Sequence, residues 1–364
     1  MNSTTLRRVG IFAVVCATAA TTLGCSSERS PAPATGATAS GATTSADARP
    51  TASGGLFTAA QPWTTDVSGA APSDRSDAII ATLSDLGGWG NDNVLQADFS
   101  IPVFYADAGT PRIEVVGTDD YCFGGPDCDS VPAQMPVPEN ANIEGSSDLT
   151  CDPSGNTDGQ GDCHLLVADR DGGKLYEVYQ GTKTGESITA MGLFIWDLDK
   201  AYPDNLRGEQ CTSADAAGFP IAGLTPTADE VASGSVDHAL RFILPNDRMK
   251  AGVYTHPATH AGGPESSEAD APPYGVRFRL KPDFDESGYN ASEKVILQAL
   301  KTHGMLLSDG GEIALTFADD RTSAAKWADL GIDAQSFSDI PVDAFEVVDL
   351  GPEIDLTYEC VRNP

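Results

Sequence analysis

The sequence predicts an all-β fold, a sandwich or jelly roll with a few short helices, and an α+β fold is the alternative. Many short segments are rich in β-branched and aromatic residues with a period of two, and clusters of Gly, Pro, Asn and Asp separate them. Such spacing is typical of sandwiches and jelly rolls. The predicted strands are FSIPVFYA, RIEVVG, HLLVAD, KLYEVYQG, ESITAMGLFIWDLD, HALRFIL, GVYTH, GVRFRLK and EIALTFA.

Three short helices are expected beside these strands. The first covers residues 73–87, with apolar residues on one stripe and Gly87 at its end. The second begins at the capping box formed by Thr227 and Glu230. The third begins at Asn290, which has Glu293 three residues later, and Gly304 is placed to end it.

The first 24 residues are predicted to be a lipoprotein signal peptide. Arg7 and Arg8 precede an apolar run, and Gly24-Cys25 closes it. The run of about 15 residues is shorter than the ~20 that a spanning helix needs. We therefore expect Cys25 to carry a lipid that anchors the protein outside the cytoplasm. Plain secretion is the alternative, because Thr22 is unusual three residues before the lipidated cysteine.

The rest of the chain divides into a linker and a folded part. Residues 25–54 consist largely of Ser, Thr, Ala, Pro and Gly, a composition typical of a flexible linker. Residues 55–364 contain no second such segment and no internal repeat. We expect them to form a single β-rich domain.

The cysteines predict three disulfides. The chain has eight; Cys16 leaves with the signal peptide and Cys25 takes the lipid, so six remain, an even number that suits an oxidising compartment. Six cysteines permit 15 pairings, and proximity along the chain favours one of them. No C-x-x-C occurs, which argues against zinc. The expected bridges are Cys122–Cys128, Cys151–Cys163 and Cys211–Cys360.

The formal net charge of -31 excludes some partners. Nucleic acids require a basic surface, and anionic lipid head groups repel an acidic protein. We therefore predict no nucleic-acid partner and a membrane connection through the lipid on Cys25 alone.

Cationic side chains nevertheless gather in residues 234–281. Arg277, Arg279 and Lys281 alternate with apolar residues, so in a strand they lie on one face. This stripe is either a solvated face, a set of internal ion pairs, or a site for a carboxylate, phosphate or sulfate. In HALRF a regular strand places His238 and Arg241 on opposite faces, so one ligand contacts both only if a bulge intervenes.

Residues 254–260 are the strongest candidates for acid–base chemistry. Tyr254, His256 and His260 lie together in the sequence, and His238 is a further candidate. The H-E-x-x-H pattern of zinc enzymes is absent, so we predict no metal ligands here. Histidines held by hydrogen bonds in a loop are the alternative.

The acidic residues are too numerous to identify a catalytic pair by type. Four acids lie near the cationic window, and each also suits a cap or a turn: Asp215, Glu230, Asp237 and Asp309.

Two Asp-rich loops, 151–163 and 169–174, do not match EF-hand spacing. Calcium therefore remains an alternative to ordinary turns, and no other cofactor is predicted. No nucleotide-binding or G-x-S-x-G motif occurs.

Several motifs occur in an order that resembles a broad family of exported proteins of actinobacteria and other soil bacteria. The resemblance spans about residues 150–364 and implies a secretory setting and a single domain, but no mechanism. The motifs are GDCH, LYEVY, CTSADAAGFPI, DHALRF, HPATH, PPYGVRFRLK and LQALKTHGMLLSDGG.

Together these features predict a cell-envelope lipoprotein that acts on polysaccharide. Hydrolysis by two carboxylates, or elimination beside a uronate with His or Tyr as base and Arg as neutraliser, are the two reactions considered. A non-catalytic lipoprotein that binds glycans or anions, or a structural one, is the alternative, so the sequence leaves enzymatic activity open.

Overall fold

The computed structural model describes residues 55–151 and 161–364. The signal peptide, Cys25, the linker and most of the Asp-rich loop 151–163 lie outside these residues. The described part is built around a sheet of nine strands, with a four-stranded sheet and two short two-stranded sheets beside it.

The described residues form seventeen strands and six α-helices. The strands are β1 (Ala97–Ala106), β2 (Arg112–Gly117), β3 (Ala133–Pro136), β4 (His164–Asp169), β5 (Lys174–Tyr179), β6 (Thr182–Thr184), β7 (Ser187–Ala190), β8 (Gly192–Asp197), β9 (Gly208–Glu209), β10 (Leu240–Leu244), β11 (Val253–Tyr254), β12 (Arg277–Leu280), β13 (Met305–Gly310), β14 (Leu315–Asp319), β15 (Phe345–Val348), β16 (Ile354–Asp355) and β17 (Val361–Arg362). The helices are α1 (Ser76–Asp85), α2 (Gly90–Asn93), α3 (Ile221–Leu224), α4 (Ala228–Ser233), α5 (Ala291–Thr302) and α6 (Trp327–Leu330).

The large sheet is mixed, in the order β15-β12-β13-β10-β14-β1-β4-β5-β8. β1 runs parallel to both β14 and β4, and β10 runs parallel to β13. A sandwich consists of two antiparallel sheets packed face to face, and this sheet does not have that form. The β-rich character with few helices is confirmed, and the α+β alternative describes the arrangement better than the sandwich or jelly roll.

Strand β1 connects two halves of this sheet. Its first part pairs with β14 and its last part, from Val103 onwards, pairs with β4. The buried apolar residues form two clusters accordingly. The larger contains Trp89, Phe242 and Phe278, and the smaller lies among β1 to β5, β7 and β8 around Val115.

The three predicted helices are present. Helix α1 is shorter than expected, and α4 has the predicted capping box, in which the Thr227 hydroxyl accepts from the Glu230 amide. At α5 the Asn290 side chain accepts from the amides of Ser292 and Glu293. Gly304, just beyond this helix, has a φ of +73°, the left-handed conformation that glycine adopts without strain.

All three predicted disulfides are present, with Cα–Cα distances of 5.7 Å for Cys122–Cys128, 5.9 Å for Cys151–Cys163 and 4.4 Å for Cys211–Cys360. Disulfides of this kind are typical of proteins from oxidising, extracytoplasmic compartments. Across residues 55–151 and 161–364, no helix combines the length and apolar character that a membrane-spanning helix needs.

Candidate functional site

A cavity of about 530 Å³, the site cavity, opens between the two halves of the sheet. Its lining comes from the Cys122–Cys128 turn, the segment before β4, the start of β8, the loop after β9, and the end of β13. The lining residues are Cys122, Phe123, Gly125, Asp127, Cys128, Asp162, Tyr179, Met191, Gly192, Phe194, Gln210, Thr212, Ser213, Ala214, Ala216, His260, Gly262, Asp309 and Tyr358.

Three carboxylates line the site cavity. Asp127 accepts from the Thr212 amide at 2.7 Å, and Asp309 accepts from its neighbour Gly310 at 2.8 Å. Asp162 is 64% exposed at its side chain and reachable by a ligand. Among the described lining residues there is no Lys or Arg, so the charged groups at the surface of the cavity are acidic.

Beneath this surface, Asp215, Arg241 and Asp309 form an acid–arginine network. The Arg241 guanidinium donates to both oxygens of Asp215, at 2.9 and 3.1 Å, to Asp309 at 2.9 Å, and to the Thr316 hydroxyl at 2.8 Å. Asp215 and Arg241 are buried. Two oxygens accepting from one guanidinium is the geometry of an ionised carboxylate, and burial opposes this ionisation by raising the pKa of Asp215.

The sheet explains how Arg241 reaches both acids. β10 and β13 run parallel, and their register shifts after Phe242, so that Ile243 lies opposite Asp309. The loop that contains Asp215 is tied to β13 by a hydrogen bond from the Ala217 amide to the Ser308 carbonyl, at 2.9 Å. A strand irregularity and one loop contact therefore bring together residues far apart in sequence.

His164 lies beside this network and is held between acceptors. Its Nδ1 is 2.7 Å from Glu144, its Nε2 is 3.1 Å from the Ala214 carbonyl, and the same Nε2 is 4.0 Å from Asp162. Two acceptors require both ring nitrogens to carry protons. Burial lowers the pKa of His164, but Glu144 and Asp162 more than compensate and raise it to about 9.

We expect His164 to remain protonated at neutral pH and His260 to be neutral. Burial lowers the pKa of His260, whereas His164 has carboxylate partners. Because the folded pKa of His164 lies above its ordinary value of 6.5, its stabilising contribution is complete below about pH 6.5 and is lost as the pH rises through about 9. An NMR titration of the histidine rings, assigned with His164→Gln and His260→Gln, measures both values; a neutral His164 at pH 7 contradicts this assignment.

The pKa of Asp162 is raised above its ordinary value. Although its side chain is 64% exposed, the carboxyl lies inside a concave cavity, where fewer waters surround it than on an open surface. This loss of water raises its pKa, as do the charges of Asp309 and Glu144, against the opposing effect of His164. Asp309 carries an ion pair with Arg241. The two carboxylates of one cavity thus have different surroundings, as an acid–base pair requires.

Two exposed aromatic side chains stand on the edge of the site cavity. Phe123 is 74% exposed and Tyr358 is 66% exposed. Among the described residues, Val361 is the other large apolar residue with comparable exposure. His260 packs against Tyr358 with ring centroids 5.5 Å apart. Exposed aromatic groups that converge on a cavity mark a binding surface.

The predicted acid–base residues occupy three separate places. His260 lines the site cavity, where its Nδ1 lies 2.9 Å from the Ala216 carbonyl. Tyr254 and His256 both contact Glu209, with His256 Nε2 3.2 Å from a carboxylate oxygen. His238 is buried beside Glu230 and lines a second cavity of about 410 Å³. These four side chains therefore do not form one catalytic cluster.

Arg277 and Arg279 of the predicted cationic stripe lie on β12 and are buried, and Lys281 follows the strand. Arg277 donates to the Pro62 carbonyl at 2.7 Å. Arg279 donates to the Ala70 carbonyl at 2.8 Å and pairs with Glu346 at 2.6 Å, and Lys281 donates to the Asp343 carbonyl at 2.7 Å. The arginines thus supply donors to carbonyl groups of residues 62–70. These contacts match the internal, structural alternative for the stripe and oppose its use as an anion site.

Arg241 also does not contact a ligand site directly, because Asp215 and Asp309 occupy its guanidinium. His238 and Arg241 are separated, and His238 lies outside β10, so the alternation of a strand does not relate them.

The sequence analysis did not identify Asp127 and Asp162 as site residues. Asp162 stands directly before Cys163 and His164, and only the fold shows that this position lines the same cavity as Asp309.

The described residues contain one group with metal-ligand spacing. Atoms of Asp127, Cys211 and Cys360 lie within 4.8 Å of one another. The two cysteines are joined in a disulfide, so this group is not a metal centre. In the loop 169–174, Asp169 accepts from the Gly172 amide at 2.8 Å, which is ordinary turn geometry.

No family model, curated protein or solved structure matches this chain. The resemblance to exported actinobacterial and soil-bacterial proteins therefore stays a prediction, and the function has to be argued from the site cavity itself.

Proposed function

We propose that this protein is an extracytoplasmic glycoside hydrolase whose active site is the site cavity. The observation that carries the proposal is the presence, in one cavity, of two carboxylates in different surroundings and two exposed aromatic side chains. These are Asp162, Asp309, Phe123 and Tyr358.

The cavity suits a sugar in size and chemistry. A volume of about 530 Å³ lies within the ~300–1,000 Å³ range of small-molecule sites. The C–H faces of sugar rings pack on aromatic rings such as those of Phe123 and Tyr358, and sugar hydroxyls donate to carboxylates such as Asp127. Aromatic and acidic groups together therefore favour a glycan over a purely apolar ligand.

In the proposed reaction, Asp162 is the general acid. Its pKa is raised, which favours the protonated form, and in this scheme it donates the proton to the glycosidic oxygen as the C–O bond breaks. Asp309, which is ion-paired with Arg241, either takes a proton from the water that attacks the sugar carbon or attacks that carbon itself. In the second case water, deprotonated by Asp162, then hydrolyses the glycosyl ester and frees Asp309. Arg241 is a positioning residue in this scheme, because it orients Asp309 without touching substrate.

Elimination beside a uronate fits the cavity poorly. That reaction requires a cation to neutralise the substrate carboxylate, and the described lining contains three carboxylates and no Lys or Arg. Arg241 is engaged by Asp215 and Asp309. Hydrolysis is therefore the better of the two reactions.

A non-catalytic glycan-binding protein is the second candidate. It is favoured by the contacts of Asp309, whose two oxygens already accept from Arg241 and from the Gly310 amide. A carboxylate with both oxygens engaged is a weaker base or nucleophile than a free one. This candidate predicts glycan affinity without turnover.

For the cellular setting we propose lipid anchoring at Cys25 on the outer side of the membrane, with secretion as the alternative. Both settings agree with the three disulfides. Mass spectrometry of the mature N-terminus distinguishes a diacylated Cys25 from an unmodified residue.

The proposed activity is tested with a panel of neutral, amino and acidic polysaccharides. We expect release of reducing ends from at least one neutral or amino glycan and no unsaturated uronate from any. Unsaturated uronate would overturn the hydrolytic mechanism. Binding without reducing ends would favour the second candidate, and neither binding nor cleavage would overturn both.

A further inference from the structure

We infer that the glycan recognised by the site cavity carries free, protonated amino groups. This inference rests on the proposed function and names its ligand class: an amino sugar polymer without N-acetyl groups. Neutral and acidic glycans are the alternatives that the experiment below distinguishes.

The charges around the cavity support a cationic ligand. Asp127 and Asp309 face it, and the described lining provides no Lys or Arg. Asp162 also faces the cavity, but as the general acid it is neutral while it holds its proton, so it is not counted in this balance. The single charge of Arg241 behind the lining is shared between Asp309 and the buried Asp215. Negative charge therefore exceeds positive charge at the cavity, and a ligand with uronate, sulfate or phosphate groups is repelled.

The histidine of the cavity does not reverse this balance. His260 has a pKa lowered by burial, and its Nδ1 already faces the Ala216 carbonyl at 2.9 Å. It is therefore neutral at physiological pH. His164 is protonated, but its charge is directed at Glu144, 2.7 Å away.

The aromatic edge suits the same ligand. Phe123 and Tyr358 are exposed beside the carboxylates. An ammonium group is attracted both to the face of an aromatic ring and to a carboxylate. An N-acetyl group keeps the sugar ring but removes the positive charge, so the two forms of one oligomer separate the effect of charge from the effect of stacking.

The test compares the glucosamine hexamer with the N-acetylglucosamine hexamer by isothermal titration calorimetry on the mature protein carrying Asp162→Asn, which prevents cleavage of the ligand, at about pH 6, where the amines are largely protonated. The variants below are made in the same background. We expect the glucosamine hexamer to bind at least about tenfold more tightly, the equivalent of ~1.4 kcal/mol. Added salt should reduce the difference because it screens exposed charges.

Asp127→Asn is the diagnostic variant. Asparagine retains an oxygen for the Thr212 amide and removes the charge, so the preference for the glucosamine hexamer should fall about threefold while N-acetylglucosamine binding stays unchanged. Asp283→Asn removes an exposed charge outside the cavity and should leave both affinities unchanged.

The outcomes separate this inference from the proposed function. Equal affinities, or tighter binding of the N-acetylated hexamer, would overturn the inference and leave a glycan site standing. Tighter binding of an oligouronate would also overturn it. Absence of binding by both hexamers together with all glycans of the panel would overturn the proposed function as well.

Discussion

Replacing Arg241 with leucine is expected to lower the free energy of unfolding by about 3–5 kcal/mol, because removing one partner of a buried ion pair leaves an uncompensated charge. Asp215 is fully buried, and both of its oxygens accept from Arg241. The Thr316 hydroxyl would lose a partner too. Urea unfolding followed by tryptophan fluorescence measures the change.

Two variants identify the cause. The double variant Arg241→Leu/Asp215→Leu removes both charges of the pair, and we expect it to recover part of the lost stability. The reason is that an unpaired buried charge lowers the free energy of unfolding by more than an intact buried ion pair raises it. Arg321→Ala breaks the ion pair of the more exposed Arg321 with Asp319 and should cost less than about 1 kcal/mol. If Arg241→Leu lowers the free energy of unfolding by no more than Arg321→Ala does, the acid–arginine network does not stabilise the fold as proposed.

Replacing Asp162 with asparagine is expected to reduce the rate of glycan hydrolysis by about 10²–10⁴-fold, the usual contribution of a general acid. Asparagine has nearly the same size but cannot donate the required proton. The acidic limb of the pH–rate profile reports the base, and the alkaline limb reports the acid, so the alkaline limb should disappear in this variant. Initial rates of reducing-end release at several pH values measure both effects.

A substrate with an activated leaving group distinguishes loss of the general acid from a structural defect of the variant, because a structural defect would slow both substrates. An aryl glycoside whose phenol departs without protonation does not need the acid in the bond-breaking step, so Asp162→Asn should release the phenol in the first turnover at nearly the wild-type rate. Asp309→Asn should be slow on both substrates, because base or nucleophile is required in either case. Equal losses on both substrates for Asp162→Asn would remove its role as acid.

The helix ends and the disulfides could be predicted because their determinants are local. Thr227 and Asn290 stand at the N-termini of their helices with Glu three residues later, and short separations favour the bridges Cys122–Cys128 and Cys151–Cys163. With these paired, Cys211 and Cys360 are left for each other. Such patterns need no knowledge of the sheet.

The sheet order could not be predicted in the same way. β13 begins with the apolar run Met305–Leu307 directly after a helix and ends in Ser-Asp-Gly, so it lacks the alternation that marks a strand in the sequence. Without it the neighbours β10 and β12 cannot be placed. The parallel pairs of β1, β10 and β13 join segments that are distant in the sequence, and no local sequence pattern predicts which of these strands are neighbours.

The candidate site depends on the sheet order, and the sequence identified it only in part: His260 was predicted, whereas Asp127 and Asp162 were missed. In a chain with 53 acidic residues, Asp162 and Asp309 carry no distinctive pattern, and Asp309 beside two glycines resembles an ordinary turn. The arginines drew attention because they are scarce in the acidic chain, yet Arg277 and Arg279 are buried in structural contacts. The scarcity of arginine in this chain drew attention to Arg277 and Arg279. It did not show whether they bind a ligand or donate hydrogen bonds to backbone carbonyls.

The most direct test of the central claim is a crystal structure of the Asp162→Asn variant soaked with a glucosamine hexamer, with the N-acetylated hexamer as the second ligand. We expect sugar density in the site cavity, with a ring packed on Phe123 or Tyr358 and the scissile oxygen within hydrogen-bond distance of residue 162. Sugar bound at another surface, or an empty cavity at ligand concentrations that saturate binding in solution, would contradict the claim that this cavity is the functional site.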